Sequence, residues 1–332
     1  MEVVRVDPER PDPAALDRAA AVLRRGGLVS FPTETVYGLG ANALDEEAVR
    51  GIFAAKGRPS FNPLIVHVAD LAAARGLSSA WPDAAERLGM SFWPGPLTVV
   101  VPKHPEIPDL VTAGLATVAL RVPAHPVARA LLLHSGLPIA APSANRYTHL
   151  SPTRAEHVVS GLGERVDLIL DGGPTGVGIE STVIDLCGPL PVLLRPGTIT
   201  RAALEAVVGP VSLASAIEGD EARRGPGMVR RHYSPRAELR IYARDRRSAM
   251  EVAARAAAAA GRWVGALLLA PLDAPLDHPV MMPTEPAGYA RLLYASLHDL
   301  DAAGCDLILV DAVPDAPEWA GVRDRLARAE EE

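Results

Sequence analysis

The chain has 332 residues, 48% hydrophobic and 22% charged, which is an ordinary globular composition with material for about two packed domains. A net charge of −7 argues against broad, nonspecific nucleic-acid binding, although local basic patches stay open. No apolar run reaches the ~18 residues of a membrane span, the opening MEVVRVDPER lacks the form of a secretory signal, and Cys187 and Cys305 lie far apart without metal-ligand spacing, so they read as buried free thiols in a reducing cytoplasm.

In chain order, residues 14–25 read as a helix closed by Gly26-Gly27, and 28–31 as a buried strand. The run from Pro32 to Gly40 reads as a glycine-bearing loop suited to close approach by a ligand. Residues 45–55 are helical, 56–64 form a Gly/Pro-punctuated turn, and 64–68 are strand-like. Further strands are expected at 97–101, 118–122, 138–141, 168–170, 181–186 and 192–194, with helices at 127–133, 153–160 and 201–207. This predicts a mixed α/β domain over residues 1–210. Residues 211–237 concentrate Gly, Ser and Arg and read as a linker; Met228, His232 and Tyr233 among its arginines suggest that it folds over a site. Residues 238–332 read as a small α/β domain with a largely parallel sheet: strands at 239–242, 264–269 and 306–310, helices at 248–260, 287–303 and 318–329. It lacks G-x-G-x-x-G, so no dinucleotide is assigned to it.

The chemistry concentrates at element junctions. Lys56 and Arg58 sit two apart on the 56–64 turn, a planar fork beside a mobile point charge, the pair expected to hold an anion. Ser143 and Asn145 follow the apolar run 137–141, placing a hydroxyl and an amide just past a buried strand. Arg121 and Arg195 each end an apolar run and need a partner, either a substrate group or an internal carboxylate. His67 interrupts its strand, the pattern of a satisfied core histidine as much as of a ligand. Thr35, Tyr37, Ser181 and Thr182 are suited to a small polar substrate or to closing turns.

Taken together and in order, FPTETVYGLG (31–40), KGRPSFNPLIVHV (56–68), FWPGPLTVVVP (92–102), VALRVP (118–123), APSAN (141–145), GIESTVIDL (178–186) and LLRPGTI (193–199) resemble the Sua5/YrdC/YwlC family of threonylcarbamoyl-AMP synthases. GPGMVRRHYSP (225–235) resembles the linker signature of the longer Sua5 branch, with Ser234 where that pattern has Ala. The resemblance implies a YrdC-like twisted α/β sheet with a concave positive groove, followed by a small Rossmann-like α/β C-terminal domain. It implies that L-threonine, bicarbonate and ATP give threonylcarbamoyl-adenylate and pyrophosphate, for N6-threonylcarbamoyladenosine at tRNA position 37. It places threonine at Thr35, Tyr37, His67, Arg121, the backbone of Ala141, and Ser181, with Arg121 on its carboxylate. It places ATP at Lys56, Arg58, Asn62, Thr117, Ser143, Asn145, Ser151, Arg195 and Tyr233, and makes Lys56 and Arg58 the catalytic pair, with Lys56 near the reacting carbamate and phosphates. Mg2+ is expected on the triphosphate, held by phosphate oxygens and water rather than by protein side chains. Tyr233 makes the linker a lid. The implied partners are the downstream tRNA threonylcarbamoyl transferase machinery and, weakly or transiently, tRNA itself, with no membrane.

Two rival readings remain at this stage. A related domain could make carbamoyl-adenylate from carbamoyl phosphate. An RNA-binding or ribosome-maturation module could use the arginines at 223, 224, 230, 231 and 236, and its RNA affinity would then depend steeply on salt.

Overall fold

The protein is described by a computed structural model that covers residues 1–214 and 233–330. Among these residues the N-terminal part is an eleven-stranded mixed sheet. Its order runs Glu2–Arg5, Leu168–Asp171, Val29–Pro32, Tyr37–Asn42, Ile139–Ala140, Ile65–His67, Thr117–Arg121, Leu97–Pro102, Thr182–Asp185, Val192–Arg195 and Ser212–Leu213. The C-terminal part is a four-stranded, all-parallel sheet in the order Glu238–Tyr242, Leu307–Asp311, Val264–Leu268, His278–Met281. The parallel sheet expected from strand-helix alternation is thus present. No helix among the described residues is long and apolar enough to cross a membrane.

The large sheet has two unlike faces because its strands alternate side chains with a period of two. Tyr37, Leu39, Leu64, Val66, Val118 and Leu120 point into one core, packed with Val49, Ile52 and Phe53 of the helix Glu46–Lys56. Phe31, Ile139 and Ala141 point the other way, under the helices Pro13–Arg24 and Pro126–Ser135. Farther along that second face, Ile65, Ala119, Val183 and Leu194 form a small apolar floor. A further cluster joins Val36, Leu150, Ile179 and Tyr233 to Tyr289, Leu293, Tyr294, Trp319 and Val322, so the C-terminal helices share a core with the N-terminal part.

Three expectations are refined. The glycine-bearing run 32–40 is a loop only to Val36; Tyr37–Asn42 is a strand. Gly40 is tolerated there because its neighbours crowd in: a Cβ at that position would lie 2.7 Å from Ile139 and from Phe31. Cys305 is buried as expected but Cys187 is half-buried, and neither forms a disulfide. Of the expected linker 211–237, residues 212–213 pair as a short edge strand with Val192–Arg195, and residues 215–232 lie outside the described residues.

Candidate active site

The site is assembled on the second face of the large sheet. Ile65 and His67, two residues apart, present side chains on that face, and the parallel register sets His67 opposite Arg121 and Ile65 opposite Ala119. Beside them, the backbone N–H of Ala141 donates to the Ile65 carbonyl, and Gly38 bridges to Ser143. The loop residues Thr33, Thr35 and Val36 close one side; Glu180, Ser181, Arg195 and Tyr233 close another. Thr35, Arg58, His67, Arg121, Ala141, Ser143, Ser181, Arg195 and Tyr233, widely separated in sequence, therefore line a single cavity.

Its charge is dominated by three buried guanidinium groups. Arg121 donates through Nη1 to Thr35 Oγ1 at 2.9 Å and through Nε to the Gly95 carbonyl at 3.3 Å. Its Nη2 lies 2.7 Å from Glu34 Oε1 without hydrogen-bond alignment, so both atoms keep bonding capacity. Arg58 donates through Nε to the Asn62 carbonyl at 3.1 Å and through Nη2 to the Pro63 carbonyl at 2.9 Å. Burial lowers its pKa to about 10, which still leaves it charged near neutrality. Arg195 donates to the Ser181 carbonyl at 3.1 Å and to Ser181 Oγ at 3.2 Å, and that hydroxyl also shares a 2.8 Å hydrogen bond with Thr98.

Arg58 reaches the cavity because the preceding helix stops where it does. Asp45 caps Glu46–Lys56 by accepting from Glu47 and Ala48 N–H groups, and Gly57 ends it in the left-handed region at φ 62°. Lys56, in the last turn, faces a different target. Its ammonium donates to the backbone carbonyls of Ser143 (2.6 Å) and Asn145 (2.5 Å), with Asn145 Oδ1 at 3.4 Å. Ser143 Oγ also donates to Asn145 Oδ1 at 2.5 Å, and Asn145 Nδ2 donates to the carbonyls of Arg146 and His149. The Lys-x-Arg and Ser-x-Asn pairs are thus one structure: Lys56 clamps the loop that presents Ser143, while Arg58 and Ser143 face the cavity. Burial, then the nearby Arg58, push the Lys56 pKa well down.

The remaining expected residues are placed as follows. Asn62 is buried behind Arg58, and its Nδ2 has no partner among the described residues. Thr117 begins the strand Thr117–Arg121, pairs with Pro102 on the neighbouring strand, and is not among the residues that line the cavity. Ser151 Oγ donates to Glu180 Oε1 at 2.5 Å. The Ala141 N–H is taken by Ile65, so only its carbonyl can serve a ligand. Tyr37 is not brought to the cavity: as the odd member of an alternating strand it points into the opposite core, and its hydroxyl donates to the Gly173 carbonyl at 2.7 Å. His67 is held neutral, its pKa depressed to about 3 by burial and then by Arg121. Sequence reasoning missed Glu34 and Glu180, although both lie inside motifs it singled out; what marks them is their pairing with distant arginines.

The arrangement offers fixed cations and hydroxyls for a small ligand bearing several negative charges. Among the described residues no cluster of His, Cys, Asp or Glu could hold a metal ion.

Comparison with known proteins points the same way. Residues 21–197 match the family model Sua5_yciO_yrdC, described as "Telomere recombination", and residues 199–330 match the model described as "Threonylcarbamoyl-AMP synthase, C-terminal domain". The threonylcarbamoyl-AMP synthase of Bacillus subtilis is 43% identical over 322 residues, covering 94% of this chain and 92% of the relative. That of Pyrococcus abyssi is 44% identical over 317 residues, with the same coverage. The crystal structure of P. abyssi Sua5 complexed with L-threonine superposes with a TM-score of 0.94 at 42% identity, covering 99% of this chain and 98% of that one.

Proposed function

The chain belongs to the Sua5/YrdC family of threonylcarbamoyl-AMP synthases, and on that premise we propose that it is itself an L-threonylcarbamoyladenylate synthase, a nucleotidyltransferase that converts L-threonine, bicarbonate and ATP to L-threonylcarbamoyl-adenylate, pyrophosphate and water. The observation that carries this reading is the convergence of Arg58, Arg121 and Arg195 on one cavity with Thr35, Ser143 and Ser181.

The chemistry demands such a cavity. The threonine amine adds to the carbon of CO2 or bicarbonate and gives a carbamate. A carbamate oxygen then attacks the α-phosphorus of ATP, and the bond to the β-phosphate oxygen breaks as pyrophosphate leaves. Threonine carboxylate, carbamate and triphosphate must crowd together. Two such charges about 4 Å apart repel by several kcal/mol in a partly dry site, so fixed counter-charges are required. No protein nucleophile is needed, because phosphoryl transfer of this kind rests on positioning and charge stabilisation.

In this reading Arg121 takes the threonine carboxylate, oriented by its bonds to Thr35 and Gly95. Ser181 and the Ala141 carbonyl meet the threonine hydroxyl and amine. His67 serves as a neutral hydrogen-bonding group; with a pKa of about 3 it is too weak a base to collect the amine proton. Arg58, Arg195, Ser143 and Tyr233 face the nucleotide, Asn62 backs Arg58, and Ser151 is held by Glu180. Lys56 and Asn145 fix the loop that carries Ser143. Mg2+ enters as MgATP, held by phosphate oxygens and water; the lining is cationic, and its one described carboxylate, Glu180, is already engaged by Arg325, Ser151 and Tyr294.

The product carries a labile acyl-phosphate anhydride, so it must pass to a transferase that acylates adenosine 37 of tRNAs reading ANN codons, in the cytoplasm where ATP and tRNA meet. Direct contact with tRNA would be transient, given the overall negative charge.

Pyrophosphate release tests the reading. It should require threonine, bicarbonate and ATP together. Release supported by carbamoyl phosphate and indifferent to threonine would assign the carbamoyl-adenylate reaction instead.

A further inference from the structure

The cavity is built for anions, yet it contains a carboxylate. Among the described lining residues Glu180 is the one acid, placed between Ile179 and the substrate-facing Ser181 and sharing the cavity with Arg58, Arg121 and Arg195. Left uncompensated in a dry site it would repel every phosphate the arginines attract.

Arg195 of the cavity supplies part of its counter-charge, and the larger part comes from 145 residues downstream. Arg325, on the C-terminal helix Ala320–Glu330, donates through Nε to Glu180 Oε2 at 2.6 Å and through Nη2 to the Glu180 carbonyl at 3.3 Å. Its Nη1 donates to the Pro196 carbonyl at 3.1 Å and to Asp324 at 2.6 Å. Arg325 is 1% exposed, and its guanidinium lies 5.3 Å from the centroid of the Tyr233 ring. Tyr294, on the helix Pro286–Ala302, donates its hydroxyl to Glu180 Oε2 at 3.1 Å.

The same two helices touch the cavity's backbone on both sides of this pair. A Cβ on Gly178, two residues before Glu180, would sit 2.4 Å from the Ala290 carbonyl oxygen and from Arg291 Cα. A Cβ on Gly321 would sit 2.9 Å from the Gly197 carbonyl oxygen, two residues after Arg195. Backbone packed on backbone at two points holds Arg325 at one distance from Glu180.

We propose that Arg325 is a positioning residue of the anion cavity: the C-terminal domain delivers a cation that neutralises Glu180 and thereby sets the affinity of the cavity for the nucleotide. This rests on the synthase reading above and adds to it a task for the second domain. Glu180 in turn orients Ser151 at the nucleotide side, so the ion pair organises that wall without placing a net negative charge in it.

The test uses the full chain, with ATP affinity read by calorimetry, ATP and threonine KM read from pyrophosphate release, and folding checked by thermal melting. Arg325→Met should weaken ATP binding by about tenfold or more, the scale of one uncompensated charge near the phosphates, while the KM for zwitterionic threonine moves less than about threefold. Arg325→Lys, which keeps the charge, should stay within about threefold of wild type for ATP. The pair Glu180→Gln with Arg325→Met removes both charges and should recover most of the ATP affinity lost in the single variant. Wild-type ATP affinity in folded Arg325→Met, or a folded double variant as weak as the single one, overturns the proposal. If Arg325→Met does not fold, the double and Lys variants decide it: loss of ATP binding in both refutes the charge argument. A wild-type protein that binds ATP but forms no pyrophosphate would instead sink the synthase reading, and the ATP affinities would still judge Arg325.

Discussion

Arg121, which lines the cavity, and Glu34, which does not, face each other at 2.7 Å, with side chains 4% and 13% exposed. Glu34 Oε2 also accepts the Ala124 N–H at 3.0 Å, so the carboxylate is anchored on one side and holds the guanidinium on the other. Removing one member of a buried pair leaves the other charge uncompensated, at about 3–5 kcal/mol. Glu34→Ala should therefore lower the melting temperature, and saturating threonine should raise it by more than in wild type, because the ligand's carboxylate supplies the missing charge. Equal threonine-induced shifts in the two proteins would show that threonine does not sit on Arg121.

Lys56 and Arg58 act by different routes. Lys56→Ala releases the carbonyls of Ser143 and Asn145, and Arg58→Ala removes a cation from the cavity. Arg58→Ala should reduce kcat/KM by about 100-fold or more, the scale of losing one transition-state donor, and Lys56→Ala by a comparable factor through misplacing Ser143. Arg58→Lys should not rescue, since Lys cannot span the Asn62 and Pro63 carbonyls as the fork does. Near-normal turnover in either alanine variant contradicts the assignment.

His67 predicts an acid limb of stability. Its pKa falls from 6.5 to about 3 on folding, through burial and then Arg121. Between those values the unfolded chain binds a proton that the folded one refuses, so stability rises with pH across the window and is lost as pH falls through it. His157, stacked on His298 and lowered to about 3 mainly by burial, adds a slope of the same sign. Urea unfolding from pH 4 to 7 should show His67→Asn with a shallower slope, by about one proton, and with the His157 part retained. An unchanged slope would mean that His67 is charged in the fold.

Tyr233 is 1% exposed, against Tyr294 and beneath Arg325, at φ 66°. Truncation to Ala should destabilise by about 3–5 kcal/mol as well as weaken ATP binding. Tyr233→Phe keeps the ring and separates the two effects. It should melt within a few degrees of wild type while ATP affinity falls several-fold, and unchanged affinity would remove the hydroxyl from the nucleotide site.

Gly178 checks the domain contact itself. At φ 85°, with backbone atoms of Ala290 and Arg291 where a Cβ would go, Gly178→Ala forces the helix Pro286–Ala302 away. A loss of roughly 2 kcal/mol or more is expected, read as a lower melting temperature. A silent substitution would mean that the two parts do not pack as described.

Much was legible in the chain because the deciding signals were local. Alternating apolar runs gave strands within a residue or two of those observed: 97–101 against Leu97–Pro102, 192–194 against Val192–Arg195. A capped helix followed by Gly57 fixed where Lys56 ends and Arg58 begins. The small-residue strand Tyr37–Asn42 was missed because its glycines serve close packing by Ile139 and Phe31 rather than a turn.

Local order determined which residues carry charge and where the elements break. Only the tertiary structure decided where those charges end: that Arg58 opens into the cavity while Lys56, two residues earlier, clamps a loop 87 residues away; that Tyr37 turns its back on the site; and that Glu180 is neutralised from the far end of the chain. The reason is physical. Strand periodicity and helix caps act over a few residues, whereas a buried charge is satisfied by whichever partner the packed domains bring to it, and sequence distance does not enter that interaction.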